Sequence, residues 1–227
     1  MPLSVFRRVL VPEDINMMQM HFIIQIAMGW QFAHLFQFSD KRENPSLIAC
    51  LPWEEDDEYI TGRPVEQFKA HELSLKEDFL VRGIGKPFWY WYDFGDSWYH
   101  KITFQKPTKK DLELFTGAPV CIEAFGACPP EDVGGPWGYS DFLTAITNSK
   151  HPENREWREW AGIPLRGKFD PDYADIQTIS NALRNYRFSR EWSFTADKYF
   201  VTEINYDFTR RASPTRPESI KTNYYDT

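Results

Sequence analysis

The chain has 227 residues, 42% of them hydrophobic, enough to bury a core in one large domain or in one domain with an appendage. Three cysteines, Cys50, Cys121 and Cys128, do not make a secreted disulfide scaffold. No apolar stretch reads as a leader or a membrane span, so the expected setting is the cytoplasm, away from membranes. Lys and Arg number 26 against 33 Asp and Glu, and a net charge of −7 disfavours general DNA binding.

Val5, Phe6, Val9, Leu10 and Val11 stop at Pro12 and predict a first strand. Asp14 is the expected N-cap of a following helix, whose apolar face is drawn by Ile15, Met18, Phe22, Ile26 and Trp30, with Gly29 near its end. Alternation of Phe32, His34, Phe36 and Phe38 predicts a second strand, on which His34 reads as packed. Residues 39–63 read as loop with a short strand near 47–51, and the acidic run Glu54-Glu55-Asp56-Asp57-Glu58 reads as a solvated loop or a docking surface for a basic partner. A helix is drawn over 65–81.

Two aromatic runs, 88–93 and 98–104, flank Gly95-Asp96 and predict a β-hairpin. With the turn centred on Gly95-Asp96, Asp93 faces Trp98 and Trp91 faces His100, which makes Asp93 and His100 diagonal neighbours; an odd loop would separate them. Residues 119–136 are rich in Pro and Gly and read as one long ordered loop. Ser140 is the expected cap of a helix over 141–148, and further helices are predicted over 151–160 and 175–184, the last after the turn Phe169-Asp170-Pro171. Residues 1–185 form the expected domain and 186–227 a C-terminal extension, partly flexible around Ala212-Ser213-Pro214. Strands interrupted by helices without regular βαβ alternation predict an α+β fold, a mixed or antiparallel sheet with helices mainly on one face.

Chemistry concentrates in two motifs. An Asp93–His100 pair in an aromatic setting suits metal ligation or acid–base work, and it equally suits a satisfied core histidine beside a turn held by Asp93 and Asp96. In Cys128-Pro129-Pro130-Glu131-Asp132-Val133-Gly134-Gly135, prolines stiffen a loop that presents two adjacent carboxylates, for a hard cation or as braces for the loop itself. If the motifs meet, Asp93, His100, Glu131 and Asp132 form a metal set suited to magnesium, manganese or calcium, and Asp96, Trp98 and Tyr139 join them as ligand-binding candidates. Cys121 and Cys128 lack zinc-knuckle spacing and read as packed thiols.

Val5-Phe6-Arg7-Arg8-Val9, Gly29-Trp30-Gln31-Phe32-Ala33-His34-Leu35, Tyr92 to His100, Pro129 to Gly135 with Gly138-Tyr139, and Phe169-Asp170-Pro171 occur in an order that resembles the Ri-plasmid open-reading-frame-three-like family, also labelled transposon passenger, resolvase-like proteins. The resemblance implies a compact α+β domain found on plasmids and mobile elements, without an assigned activity. Ala124, Trp91 and Tyr99 depart from its pattern. A serine recombinase needs an activated Ser among arginines and a basic helix pair, and the sequence offers neither. Three readings stand: a metal- or small-ligand-binding module joining the hairpin to the 129–135 loop, with an enzyme left open; a non-catalytic protein-interaction module; and an accessory to nucleic-acid processing that draws on the arginines from Arg184 onward.

Overall fold

Val9 and Val11 point from strand β1 (Phe6–Pro12) into the main core, while Leu10 between them packs on the other side of the sheet with Val120, Phe115 and Ile122. This period-two division is what strand geometry requires, and it repeats through the molecule. The computed structural model describes residues 4–51, 65–80, 86–115, 118–186 and 199–206. Strands β2 (Phe36–Ser39), β3 (Leu47–Cys50), β4 (Glu66–Lys69), β5 (Phe88–Tyr92), β6 (Trp98–Gln105), β7 (Val120–Phe125) and β8 (Tyr199–Tyr206) join β1 in an eight-stranded sheet of order β4-β3-β2-β5-β6-β8-β1-β7. All pairs are antiparallel except β3 with β4, so the sheet is mixed and the fold is α+β. Residues 199–206 fall within the expected extension, yet β8 sits between β6 and β1, so the sheet draws on both sides of residue 185.

Helix α1 (Met17–Met28) is capped by Asn16, not Asp14: the Asn16 side chain accepts from the Gln19 N–H and the Gln19 side chain accepts from the Asn16 N–H. This reciprocal capping box satisfies two free helix donors, an advantage Asp14 lacks at its position. The helix is also buried more widely than one stripe. Met17, Met20, Ile24 and Met28 are fully packed, whereas the expected stripe of Met18 and Ile26 is only partly covered and Phe22 meets Tyr186 with ring centroids 5.7 Å apart. Two apolar sides let α1 lie between neighbouring elements. Gly29 closes it in the left-handed region with φ 81, as its position predicted.

Helices α2 (Lys109–Glu113), α3 (Gly135–Thr147), α4 (Asn154–Trp160) and α5 (Ile176–Asn185) complete the described fold. Three expectations are corrected here. Helix over 65–81 is replaced by β4 and a π-helical turn, Leu75–Leu80. The supposed loop 119–136 contains β7, because the alternating apolar residues of 120–125 carry no Pro or Gly and find an open edge beside β1. Helix α3 starts at Gly135, before Ser140, since Pro136 suits the first helical turn. The acidic run 54–58 lies outside the described residues. Among the described residues no helix is long and apolar enough to cross a membrane.

Candidate functional site

The hairpin pairs Tyr92 with Trp98 and Tyr90 with His100, one residue away from the expected register. Its loop, 93–97, holds an odd number of residues. Asp93 begins it in the left-handed region with φ 50, and its Oδ1 accepts from the N–H groups of Gly95 and Asp96 at 3.0 and 3.2 Å. This self-supporting Asx turn takes Asp93 out of the strand alternation. His100 faces inward with Trp98, Tyr90 and Ile102 and is 1% exposed, its ring edge-on to Trp30 with centroids 5.4 Å apart. Burial pulls its pKa down to about 4, which keeps it neutral in the core. The expected Asp93–His100 pair is therefore not formed.

Three chain segments converge on the space beside the hairpin tip. The indole N–H of Trp30 donates to the Pro129 carbonyl at 2.9 Å, and the Tyr92 ring stacks on Trp30 with centroids 4.8 Å apart. Glu131 is held from two sides: its Oε1 accepts the Tyr92 hydroxyl at 2.5 Å and its Oε2 accepts the Gln31 N–H at 3.0 Å. Tyr92 in turn accepts from the Ala33 N–H at 3.2 Å. Burial, then the Glu131 carboxylate, pushes the Tyr92 phenol strongly up, so it stays a donor. Asp96 Oδ2 accepts the Gly134 N–H at 3.1 Å at the start of α3.

Two glycines make the approach possible. Gly135 has φ 69, and a Cβ there would come within 2.5 Å of the Asp96 carbonyl oxygen; a Cβ on Gly138 would collide with the Val133 carbonyl oxygen. The backbone positions are thus closed to any larger residue without movement.

Where the segments meet, His34, Asp93 and Asp132 place one donor atom each within 4.8 Å of one another. His34 Nε2 lies 3.6 Å from Asp93 Oδ2 and 3.4 Å from Asp132 Oδ1. The Nε2 atom is buried and makes no hydrogen bond. Asp93 is deeply set and burial raises its pKa, while the Asp132 side chain is 74% exposed and opens the cluster to solvent. Phe32, Asp93 and Asp132 all have left-handed φ, of 63, 50 and 60, strain that concentrates at this junction.

Of the sequence candidates, Asp93 and Asp132 have donors in this cluster. Glu131 lies behind it, committed to Tyr92 and Gln31, and Asp96 is committed to Gly134. Trp98, His100 and Tyr139 are each 1% exposed in the core, and the Tyr139 hydroxyl donates to the Ala127 carbonyl at 2.5 Å. The sequence candidates do not include His34, the third member of this cluster, whose place in the Gly29 to Leu35 motif is its only sequence signal. The three thiols are unpaired, and burial pushes Cys121 up to about 11 and Cys128 up to about 12, which makes them poor nucleophiles.

The fold and this junction define an α+β domain in which a hairpin tip, a His-bearing turn and a Pro-Pro-Glu-Asp loop share one corner. The sequence profile of the plasmid pRiA4b ORF-3-like protein family matches residues 2–178, and the chain belongs to that family. It is 37% identical over 179 residues to an uncharacterized protein, y4hQ, of Sinorhizobium fredii, covering 79% of this chain and 83% of that one. The crystal structure of a protein of unknown function, MM3350, from Methanosarcina mazei Go1 is similar with a TM-score of 0.55 and 28% identity, over 78% of this chain and 97% of the other.

Proposed function

We propose that the protein is a cytosolic divalent-cation-binding module whose ligands are His34, Asp93 and Asp132. One observation carries the reading: a buried imidazole nitrogen without a hydrogen bond faces two carboxylate oxygens at 3.6 and 3.4 Å. Neither contact is a hydrogen bond, and both separations suit the edges of a coordination shell. Donors about 2.1 Å from a common ion lie about 3.0 Å apart at a right angle and about 3.4 Å apart at the tetrahedral angle.

Two carboxylates and one imidazole favour manganese over magnesium or calcium, because the nitrogen ligand suits a transition ion and the oxygens suit a hard one. The exposed side, at Asp132, leaves room for water or a small ligand to complete the shell. An ion there would polarise a bound water or carbonyl oxygen, which is the basis for hydrolytic chemistry. The unpaired state of Cys50, Cys121 and Cys128 supports a reducing compartment.

The test is calorimetric titration of metal-free protein with Mn²⁺, Mg²⁺, Ca²⁺ and Zn²⁺, alongside His34→Gln and Asp132→Asn. The expected result is saturable one-to-one Mn²⁺ binding by wild type, a raised melting temperature, and loss of both in each variant. Wild-type protein that binds none of the four ions rules the reading out. Retained binding in both variants places the ion elsewhere.

A further inference from the structure

The hydrogen bonds behind the cluster are offset from it by one residue in all three segments. Ala33 precedes His34, Tyr92 precedes Asp93 and Glu131 precedes Asp132, and Ala33, Tyr92 and Glu131 are the residues that bond to one another. The Tyr92 hydroxyl is the hub: it accepts the Ala33 N–H at 3.2 Å and donates to Glu131 Oε1 at 2.5 Å. Glu131 Oε2 then returns to the same turn through the Gln31 N–H at 3.0 Å. Each candidate ligand is therefore attached directly, through one backbone link, to a member of a common knot.

From this we infer that Tyr92 and Glu131 are positioning residues, a phenol–carboxylate knot that fixes the spacing of His34, Asp93 and Asp132 without itself ligating the ion. The inference rests on the cation-binding reading above and adds to it the residues that set affinity. The Glu131 carboxylate is one of the three acidic groups that the sequence nominated as metal ligands, yet both of its oxygens already face donors. A carboxylate so occupied is better used to orient than to coordinate. Partners of this kind hold ligands in place, and their loss weakens metal binding by about 10- to 100-fold. The ring of Tyr92 has separate work in the core, stacked on Trp30, so deleting the hydroxyl alone leaves that packing in place.

The experiment measures Mn²⁺ affinity by titration and by the electron paramagnetic resonance spectrum of the bound ion, in wild type, Tyr92→Phe, Glu131→Gln and the double variant. Ser180→Ala, which removes a buried hydrogen bond from α5 to the Cys121 carbonyl, serves as a stability control. The expected result is a 10- to 100-fold weaker Kd in each single variant, a broadened spectrum, and a double variant whose loss is smaller than the product of the two single losses, because the two share one bond. Ser180→Ala should lower the melting temperature of the metal-free protein and leave Kd unchanged. If Tyr92→Phe and Glu131→Gln bind Mn²⁺ within twofold of wild type, the knot has no positioning role while the cation reading stands. If Ser180→Ala weakens Kd as much as they do, the effect is general loosening and the inference is overturned. Absence of Mn²⁺ binding in wild type defeats the cation reading and this inference together.

Discussion

Asp96 Oδ2 accepts the Gly134 N–H at 3.1 Å, so a carboxylate from the hairpin tip caps helix α3 across the site corner. Gly134 is the N-cap and offers no side chain of its own, so the cap comes from a residue distant in sequence. A negative group at a helix N-terminus also faces the positive end of the helix dipole. Asp96→Ala should cost about 1 kcal/mol and lower the melting temperature by about 2 to 4 degrees in a domain of this size. Asp96→Asn, which keeps the acceptor and loses the charge, should fall between wild type and Asp96→Ala. Equal melting temperatures for wild type and Asp96→Ala would show that the cap contributes nothing.

Gly135→Ala should be far more damaging than Gly162→Ala. Both positions have left-handed φ, 69 and 64, so both substitutions carry a backbone cost of about 1 to 3 kcal/mol. Only at Gly135 does the new Cβ run into backbone, the Asp96 carbonyl oxygen at 2.5 Å; at Gly162 it meets nothing within 4 Å. Chemical denaturation of the two variants gives the comparison, and similar losses would mean that the hairpin tip can retreat freely from α3.

Arg7 is 3% exposed and its guanidinium donates to the carbonyls of Ala27, Phe6, Phe125 and Gly126 at 2.8 to 3.0 Å. Burial holds its pKa below the usual arginine value. One planar fork thus ties β1 to the end of α1 and to the turn after β7. Arg7→Lys should not rescue the fold, because a compact ammonium cannot span those four acceptors. A loss above about 2 kcal/mol in Arg7→Lys, from carbonyls left without donors, is the expected outcome of urea unfolding.

Stability should fall as the solution is acidified from about pH 6.5. Burial lowers His21 to about 3 and His100 to about 4, against 6.5 for free histidine. Below pH 6.5 the unfolded chain takes up protons on both, while the folded chain refuses them until the lower values are reached. The unfolded state then binds more protons, so its free energy drops relative to the folded state as pH falls. The effect at about pH 4 is on the order of 3 kcal/mol for each of the two, since a tenfold difference in proton affinity corresponds to about 1.4 kcal/mol. Unfolding free energies measured by urea at about pH 7, 6, 5 and 4 check the sign. His21 also stacks on Phe36 with centroids 3.7 Å apart and meets the Tyr90 hydroxyl through Nδ1 at 2.7 Å, so its neutral form is the one the core accommodates.

Much of the fold is legible from period and punctuation. The α+β class and the mixed sheet follow from strands of alternating residues separated by helices. The hairpin is visible in its aromatic runs, and α1 and α5 in their apolar spacing and terminal signals. At the site, what escapes reading is set by single residues with left-handed φ. Phe32, with φ 63, breaks the Phe32-His34-Phe36-Phe38 alternation, so β2 begins only at Phe36 and His34 is released to the turn. Asp93, with φ 50, adds one residue to the hairpin loop and exchanges its own neighbour from His100 to His34. In both places a displacement of one residue decides which side chain faces which, and period-two patterning carries no information about it. Residues 199–206 are rich in β-formers, but no local signal tells that their partners are β1 and β6, which lie far away in sequence.

That last strand has a kinetic meaning. Pairing of Phe6 with Asn205 and of His100 with Tyr206 joins segments made at very different times during synthesis. Without 199–206, β1 and β6 would each keep an unfilled backbone edge, and the sheet would stand as two parts. Closing it is a late, long-range event of the sort that slows folding and invites pairing with other chains. Shortening the protein from its C-terminal side into this strand would therefore yield an adhesive intermediate rather than a smaller domain.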